Sequence, residues 1–203
     1  MPVPQHSPDV VLQPGDVRQE QREGLLGQRG TLVWLTGLSG AGKSTIAHAL
    51  EARLFGERRL AYVLDGDNLR HGLNADLGFS DRDREENIRR VGEVGGLFVD
   101  AGLIAIAAFI SPFRRDRERV RAIVGSPRFI EVFLDVPLAV CESRDPKHLY
   151  AKARRGEIAE FTGISSPYEA PEAPDVVLRT ADTGVDACVD ALHAELVRRG
   201  ALR

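Results

Sequence analysis

The sequence predicts an α/β fold, a three-layer sandwich in which a five-stranded parallel sheet lies between helices. Two observations carry this. Five short apolar runs, TLVWLTG (31–37), LAYVLDG (60–66), LIAIAAFI (103–110), FIEVFLDV (129–136) and PDVVLRT (174–180), are continuous rather than alternating. That is the pattern of strands buried on both faces of a parallel sheet. Helical patterns fall between them, at about 43–56, 83–101, 113–124 and 137–155, with a last one at 184–199. Such alternation builds a parallel sheet through right-handed crossovers. Ahead of the first strand, VRQEQREGLL (17–26) reads as a short charged helix. Residues 1–16, rich in proline and polar groups, read as a flexible N-terminal arm. Residues 17–203 read as a single domain without repeats or low-complexity segments.

Composition sets limits on partners. With 43% apolar and 28% charged residues in 203, the chain has material for a sizeable core and a solvated surface. A net charge of −3 gives no global field toward nucleic acid or an anionic membrane, so a bound anion must be held by local geometry. No apolar run approaches bilayer-spanning length, and the start lacks the basic and apolar regions of a signal peptide. Cys141 and Cys188 show no metal or redox spacing, and the five histidines show no ligand spacing. The expectation is a cytoplasmic protein with neither a nucleic-acid nor a membrane partner.

The first strand runs into GLSGAGKST, residues 37–45, which matches G-x-x-x-x-G-K-[ST]. Gly37, Gly40 and Gly42 let the backbone of Leu38, Ser39 and Ala41 curl so that N–H groups face a phosphate chain. Lys43 reaches the β- and γ-phosphates, Ser44 offers a hydroxyl to Mg²⁺, and Thr45 continues into the helix. A glycine turn before a helix is the bland alternative, but the strand–loop–helix setting is the confirming context. The sequence therefore predicts a nucleoside triphosphate site. The base-specifying N-K-x-D of GTPases is absent, which leaves a small-molecule kinase as the main reading.

The acceptor must then come from DGDNLRHGLNADLGFSDRDREEN, residues 65–87. Asp65 and Asp67 fall where the second run ends, on the rim where ligands sit in a parallel sheet. Phosphoryl transfer needs Mg²⁺ near the phosphates and a group that takes the acceptor's proton. Asp65 is assigned to the metal shell with Ser44, and Asp67 to the base; a plain turn with a helix cap stays open beside that reading. Arg70, Arg84, Arg89 and Arg90 follow, and guanidinium forks suit phosphate or sulfate oxygens. If a helix starts near Asp83, Arg84 and Asn87 share one face. Phe79 stacks on a flat base or is ordinary core. An aromatic ring, an amide and arginines together point to a second nucleotide as acceptor.

Taken with FISPFRRDR, RDPKHLYAKARRGEI and FTGISSPYEAPEAPD, these motifs resemble the adenylylsulfate kinase family from about Val17 to the C-terminus. The resemblance implies a P-loop kinase fold with a helical lid at about 146–172. It implies transfer of the γ-phosphate of ATP to the 3′-hydroxyl of adenosine 5′-phosphosulfate (APS), with Mg²⁺, giving PAPS. Carried over by position, Asp67, Asn68, Arg70, Phe79, Arg84, Asn87, Ile110, Ser111, Lys147 and Phe161 bind APS, with Phe161 on its adenine. Arg144 lies near the ATP adenine. Ser111 matches the family's phosphoserine position, although direct in-line transfer requires no covalent step. The resemblance further implies a homodimer, with ATP sulfurylase as a partner to be tested.

A kinase for another nucleotide or small metabolite is the alternative, and a non-catalytic subunit of a sulfate-activating partner is a third. Without the resemblance, the basic KHLYAKARRGEI reads first as a solvated face and only second as a lid. Three departures from the family pattern stand out. His148 occupies a position usually glycine, Gly95 and Gly96 adjoin inside a helix, and the N-terminal arm lacks a Trp-His element. The adjacent glycines predict a helix that is either locally soft or closely packed.

Overall fold

The computed structural model describes residues 10, 11 and 13–202, so most of the predicted arm lies outside them. Strands β1 (Thr31–Thr36), β2 (Ala61–Asp65), β3 (Ile104–Ala108), β4 (Phe129–Leu134) and β5 (Val176–Leu178) form one parallel sheet in the order β2-β3-β1-β4-β5. All five expected strands are present, each trimmed by one to four residues. The helices are α1 (Gln19–Leu26), α2 (Lys43–Gly56), α3 (Gly66–Arg70), α4 (Asp81–Asp100), α5 (Arg114–Val124), α6 (Leu138–Arg144), α7 (Leu149–Arg154) and α8 (Val185–Arg198).

The continuous apolar runs of β1 and β3 are explained by burial on two sides, whereas the edge strands β2 and β5 expose Tyr62 and Val177. In β1, Val33 and Leu35 pack with Ile46, Leu50 and Leu54 of α2 and with Leu192 and Leu196 of α8. Leu32 and Trp34 point the other way, into a cluster with Ile88, Val91 and Val99 of α4 and Val120 of α5. Each fully buried side chain of this kind is worth about 1.5–3 kcal/mol, so the two faces together hold the sandwich. Trp34 is fully buried, its ring stacked on Phe109 at 5.7 Å between centroids.

Helix α4 starts two residues before the expected Asp83 because Ser80 caps it, accepting from the Asp83 amide at 3.2 Å. Its glycines are explained by packing. A Cβ on Gly92 would stand 2.9 Å from Val120, and one on Gly95 would stand 3.0 Å from Leu32. Of the two readings of this helix, close packing is the one observed.

The continuous helix expected over 137–155 is broken into α6 and α7 at residues 145–148. Pro146 removes a donor and disfavours helical backbone at the residue before it. The Asp145 carboxylate then caps α7, accepting from the amides of Tyr150 and Ala151 at 3.1 Å each. His148 sits at φ +55°, a left-handed conformation that glycine adopts without cost. Helix α3, a single turn after β2, realises the helix cap held open at Asp65, although no helix range was expected there.

Because β1 is central, with β3 and β4 on its two sides, the strand order reverses there, and a crevice opens at the carboxyl ends of the strands.

Candidate active site

A cavity of about 1240 Å³ occupies this crevice. That exceeds the roughly 300–1,000 Å³ of a pocket for one small ligand. Residues 39–45 wall one end and residues of α3, α4 and segment 146–162 wall the other.

The first wall is a backbone device. Gly37 and Gly40 adopt φ of 152° and 76°, and a Cβ on Gly40 would stand 2.7 Å from the Cys141 carbonyl oxygen. Ser39, Gly40, Gly42, Lys43, Ser44 and Thr45 line the cavity, while the other loop residues (Gly37, Leu38 and the buried Ala41) shape it from behind. Lys43 Nζ donates to the carbonyls of Gly37 at 2.9 Å and Leu38 at 2.7 Å. Desolvation pulls its ammonium down to about 8, and the Lys147 charge acts in the same direction. Ser44 Oγ donates to Asp65 Oδ2 at 2.6 Å. The other Asp65 oxygen accepts from the Asp67 amide at 3.0 Å and caps α3. The cap and the proximity to Ser44 are therefore compatible, each using a different carboxylate oxygen. A hydroxyl and a carboxylate side by side are hard oxygen donors, and Mg²⁺ with bound phosphates needs only one or two such protein ligands. The donor set fits.

Arg144 donates to Thr180 Oγ1 at 3.1 Å and to its carbonyl at 2.6 Å, and Thr180 Oγ1 donates to the Ala41 carbonyl at 2.8 Å. Thr180, Thr183, Gly184 and Val185 also line the cavity. Sequence reasoning missed them, although they follow the last strand on the rim where ligands gather.

The second wall is made of side chains. Asp67 is exposed on α3 and pairs with Lys147. Arg70, one turn on, donates to the carbonyls of Leu77 at 3.1 Å and Gly78 at 3.0 Å, and its guanidinium lies 4.3 Å over the Phe79 ring. Burial lowers the Arg70 pKa, and neighbouring Arg84 adds to this. Phe79 is 65% exposed, so the core alternative for it fails. Arg84 donates to Phe79 O and to Thr162 Oγ1, each at 2.8 Å, and also bonds Glu160 O. Asn87, one turn further, is buried and accepts from Asn74 Nδ2 at 2.9 Å. Phe161 is buried edge-on against Tyr150 at 4.9 Å and lines the cavity with Ile110.

Three expectations need correcting. Asn68 is exposed and stands outside the cavity wall. In α3 the i, i+3 pair Asp67 and Arg70 share the cavity face, and residue 68 turns away from it. Arg89 and Arg90 also stand outside: both pair with Glu86, and Arg90 pairs with Asp76 as well. Ser111 lines the cavity floor, but its buried hydroxyl turns into the core, accepting from Trp34 Nε1 and spending its proton on Thr36 Oγ1, both at 3.0 Å. Its φ of +39° turns the residue this way, and buried Arg117 holds its carbonyl at 2.7 Å.

Segment 146–172 is anchored on its apolar side, while Lys147, Lys152, Arg154 and Arg155 stay exposed as a basic face. Tyr150 and Ala153 are buried, Glu169 N donates to Pro112 O at 2.8 Å, and Arg114 holds Ala170 O at 2.7 Å.

A family model described as adenylylsulphate kinase matches residues 29–179. The chain is 57% identical over 192 residues to an adenylyl-sulfate kinase of Geotalea daltonii, covering 95% of this chain and 92% of that one. It is 60% identical over 174 residues to that of an Enterobacter species, covering 86% and 87%. Among solved structures, the Mycobacterium tuberculosis APS kinase in complex with AMPPNP and APS superposes with a TM-score of 0.80 at 50% identity. That match covers 84% of this chain and 99% of the other.

Proposed function

This chain belongs to the adenylylsulphate kinase family, and on that premise we propose how its residues share the reaction. The reaction is transfer of the γ-phosphate of ATP to the 3′-hydroxyl of APS, giving PAPS and ADP. The observation that carries the residue assignment is one cavity with a phosphate loop on one wall and Asp67, Arg70, Arg84 and Asn87 on the other.

Lys43 exchanges its two loop carbonyls for the oxygens of the transferring phosphate, a charge-assisted contact. Ser44 and Asp65 would hold Mg²⁺, which when bound would supply neutralisation of the phosphate charge. Asp67 accepts the proton of the 3′-hydroxyl as it attacks in line. Its pairing with Lys147 holds the carboxylate at the rim. Arg70 and Arg84 bind the phosphosulfate, and Phe79 and Phe161 contact the adenine of APS. Arg144, beside Thr180, faces the adenine of ATP. The Ser111 hydroxyl already has a donor and an acceptor, so it carries no phosphate during turnover.

Segment 146–172 acts as the lid. Lys147 meets Asp67, and residues 160–162 meet Arg84, so closing it joins both acceptor groups to one element and excludes water. No helix among the described residues is long and apolar enough to cross a membrane. We place the enzyme in the cytoplasm as a homodimer, with ATP sulfurylase as a candidate partner. The Thiobacillus denitrificans relative is described as hexameric, and this chain, 34% identical to it, spans 30% of its length.

The test is ATP- and Mg²⁺-dependent formation of PAPS from APS by the purified chain, with AMP and other nucleotides as competing acceptors. PAPS as the dominant product is expected. Faster phosphorylation of another acceptor would overturn the assignment.

A further inference from the structure

The segment His71–Asp76, between α3 and α4, carries no assigned role, yet it contains a fully buried polar side chain. Asn74 is 0% exposed, and its Nδ2 donates to Asn87 Oδ1 at 2.9 Å. Among the described residues, its own Oδ1 is a buried oxygen without a hydrogen-bond partner. The segment is fixed from two directions. The Asn74 amide donates to Leu69 O at 2.9 Å, and Arg90 of α4 grips Leu73 O at 3.1 Å and both Asp76 oxygens at 2.7 and 2.9 Å.

The consequence lies in the chemistry of an amide. Asn87 lines the cavity, and the bond to Asn74 turns its oxygen toward that residue, which leaves its NH₂ as the end to face the ligand. The opposite orientation is disfavoured. Turning both amides over would put the Asn74 NH₂ where its oxygen now lacks a partner. Two stranded N–H groups cost more than one under-used carbonyl. Asn74 therefore fixes which end of Asn87 faces the ligand.

We propose that Asn74 is a positioning residue that sets Asn87 as a hydrogen-bond donor, and so selects acceptor nucleotides presenting an oxygen or ring-nitrogen acceptor at that point. This rests on the reading that Asn87 faces the acceptor nucleotide rather than ATP. Asn74 touches no substrate itself; it acts through Asn87.

The experiment measures kcat and both KM values for Asn87→Ala, Asn74→Ala, Asn74→Asp and the double variant Asn74→Ala/Asn87→Ala. Asn74→Asp places an oxygen opposite Asn87, which then turns its N–H inward and shows its oxygen to the ligand. KM for APS should rise about tenfold, the scale of one lost hydrogen bond to a charged group, with kcat and KM for ATP within about twofold. Asn74→Ala frees Asn87 to rotate and should raise KM for APS about threefold, well below the effect of the aspartate. In the Asn87→Ala background, adding Asn74→Ala should leave KM for APS unchanged, because the group it acts through is gone. Additive effects, or equal rises in both KM values, would show Asn74 to be structural only and overturn the proposal. If Asn87→Ala itself leaves KM for APS unchanged, the placement of Asn87 on the acceptor fails, and the proposal fails with it. Should Asn74→Asp not fold, the alanine double-variant comparison decides alone.

Discussion

The two walls of the cavity bind similar chemistry by different means. The phosphate loop is nine consecutive residues, and it presents backbone amides shaped by glycines whose conformations other residues resist. The wall we assign to the acceptor draws Asp67 from α3, Arg84 and Asn87 from α4, and Lys147 and Phe161 from a segment about eighty residues away. It is held by side chains bonded to carbonyls, as Arg70 is to Leu77 and Gly78 and Arg84 is to Phe79. Phosphate is common to every nucleoside triphosphate and suits a fixed local cradle. Acceptor identity needs a shape assembled from distant parts.

The comparison can be broken most sharply at Asp67. Asp67→Asn keeps the size of the side chain and removes the proton acceptor. It should lower kcat by about 10²–10⁴, with KM for ATP nearly unchanged. A kcat within a few-fold of wild type in steady-state assays would remove Asp67 from the base role.

On the phosphate wall, Lys43 offers a pH test. Its ammonium, depressed from its ordinary 10.5 to about 8, is charged below that pH and neutral above it. Binding of ATP therefore weakens as pH rises. kcat/KM for ATP should fall about tenfold per pH unit above roughly 8, while kcat, measured with phosphate already beside the lysine, should fall at higher pH. A profile flat to pH 10 would contradict the depressed value.

Between the walls, Ser111→Ala should retain most of kcat. It should also lower stability by about 1–2 kcal/mol in chemical denaturation, because Trp34 Nε1 is left unpaired in the core. Loss of turnover with stability intact would restore a chemical role to the hydroxyl. The smallest effect is expected in the lid. His148→Gly relieves a left-handed backbone and should stabilise α7 by at most about 1 kcal/mol, read as slower hydrogen exchange there.

The same contrast explains what could be read from the chain before its fold was known. Motifs with local causes were legible: the glycine-lysine loop, the five strands, of which β1 and β3 are buried on both faces, and the start of α4 to within two residues. Features with non-local causes were not. The partners of Asn74 and Thr180 lie 13 and 36 or more residues away, so nothing beside them in the chain flags their roles. The Ser111 hydroxyl turns inward because its backbone is left-handed and because Trp34 waits below it, neither of which FISP reveals. The break before α7 is a different case. Its signal, proline after aspartate, was present in RDP, but a helical pattern running across 137–155 masked it.

The most direct test compares Arg84→Ala with Arg144→Ala, measuring KM for APS and for ATP in each. These two arginines stand on opposite walls, and each makes charge-assisted hydrogen bonds on the order of 1.5–3 kcal/mol. Two independent walls predict a split: Arg84→Ala raises KM for APS about 10- to 100-fold and spares ATP, whereas Arg144→Ala raises KM for ATP and spares APS. If both KM values rise together in both variants, the cavity is one coupled surface, and its division into a phosphate wall and an acceptor wall is wrong.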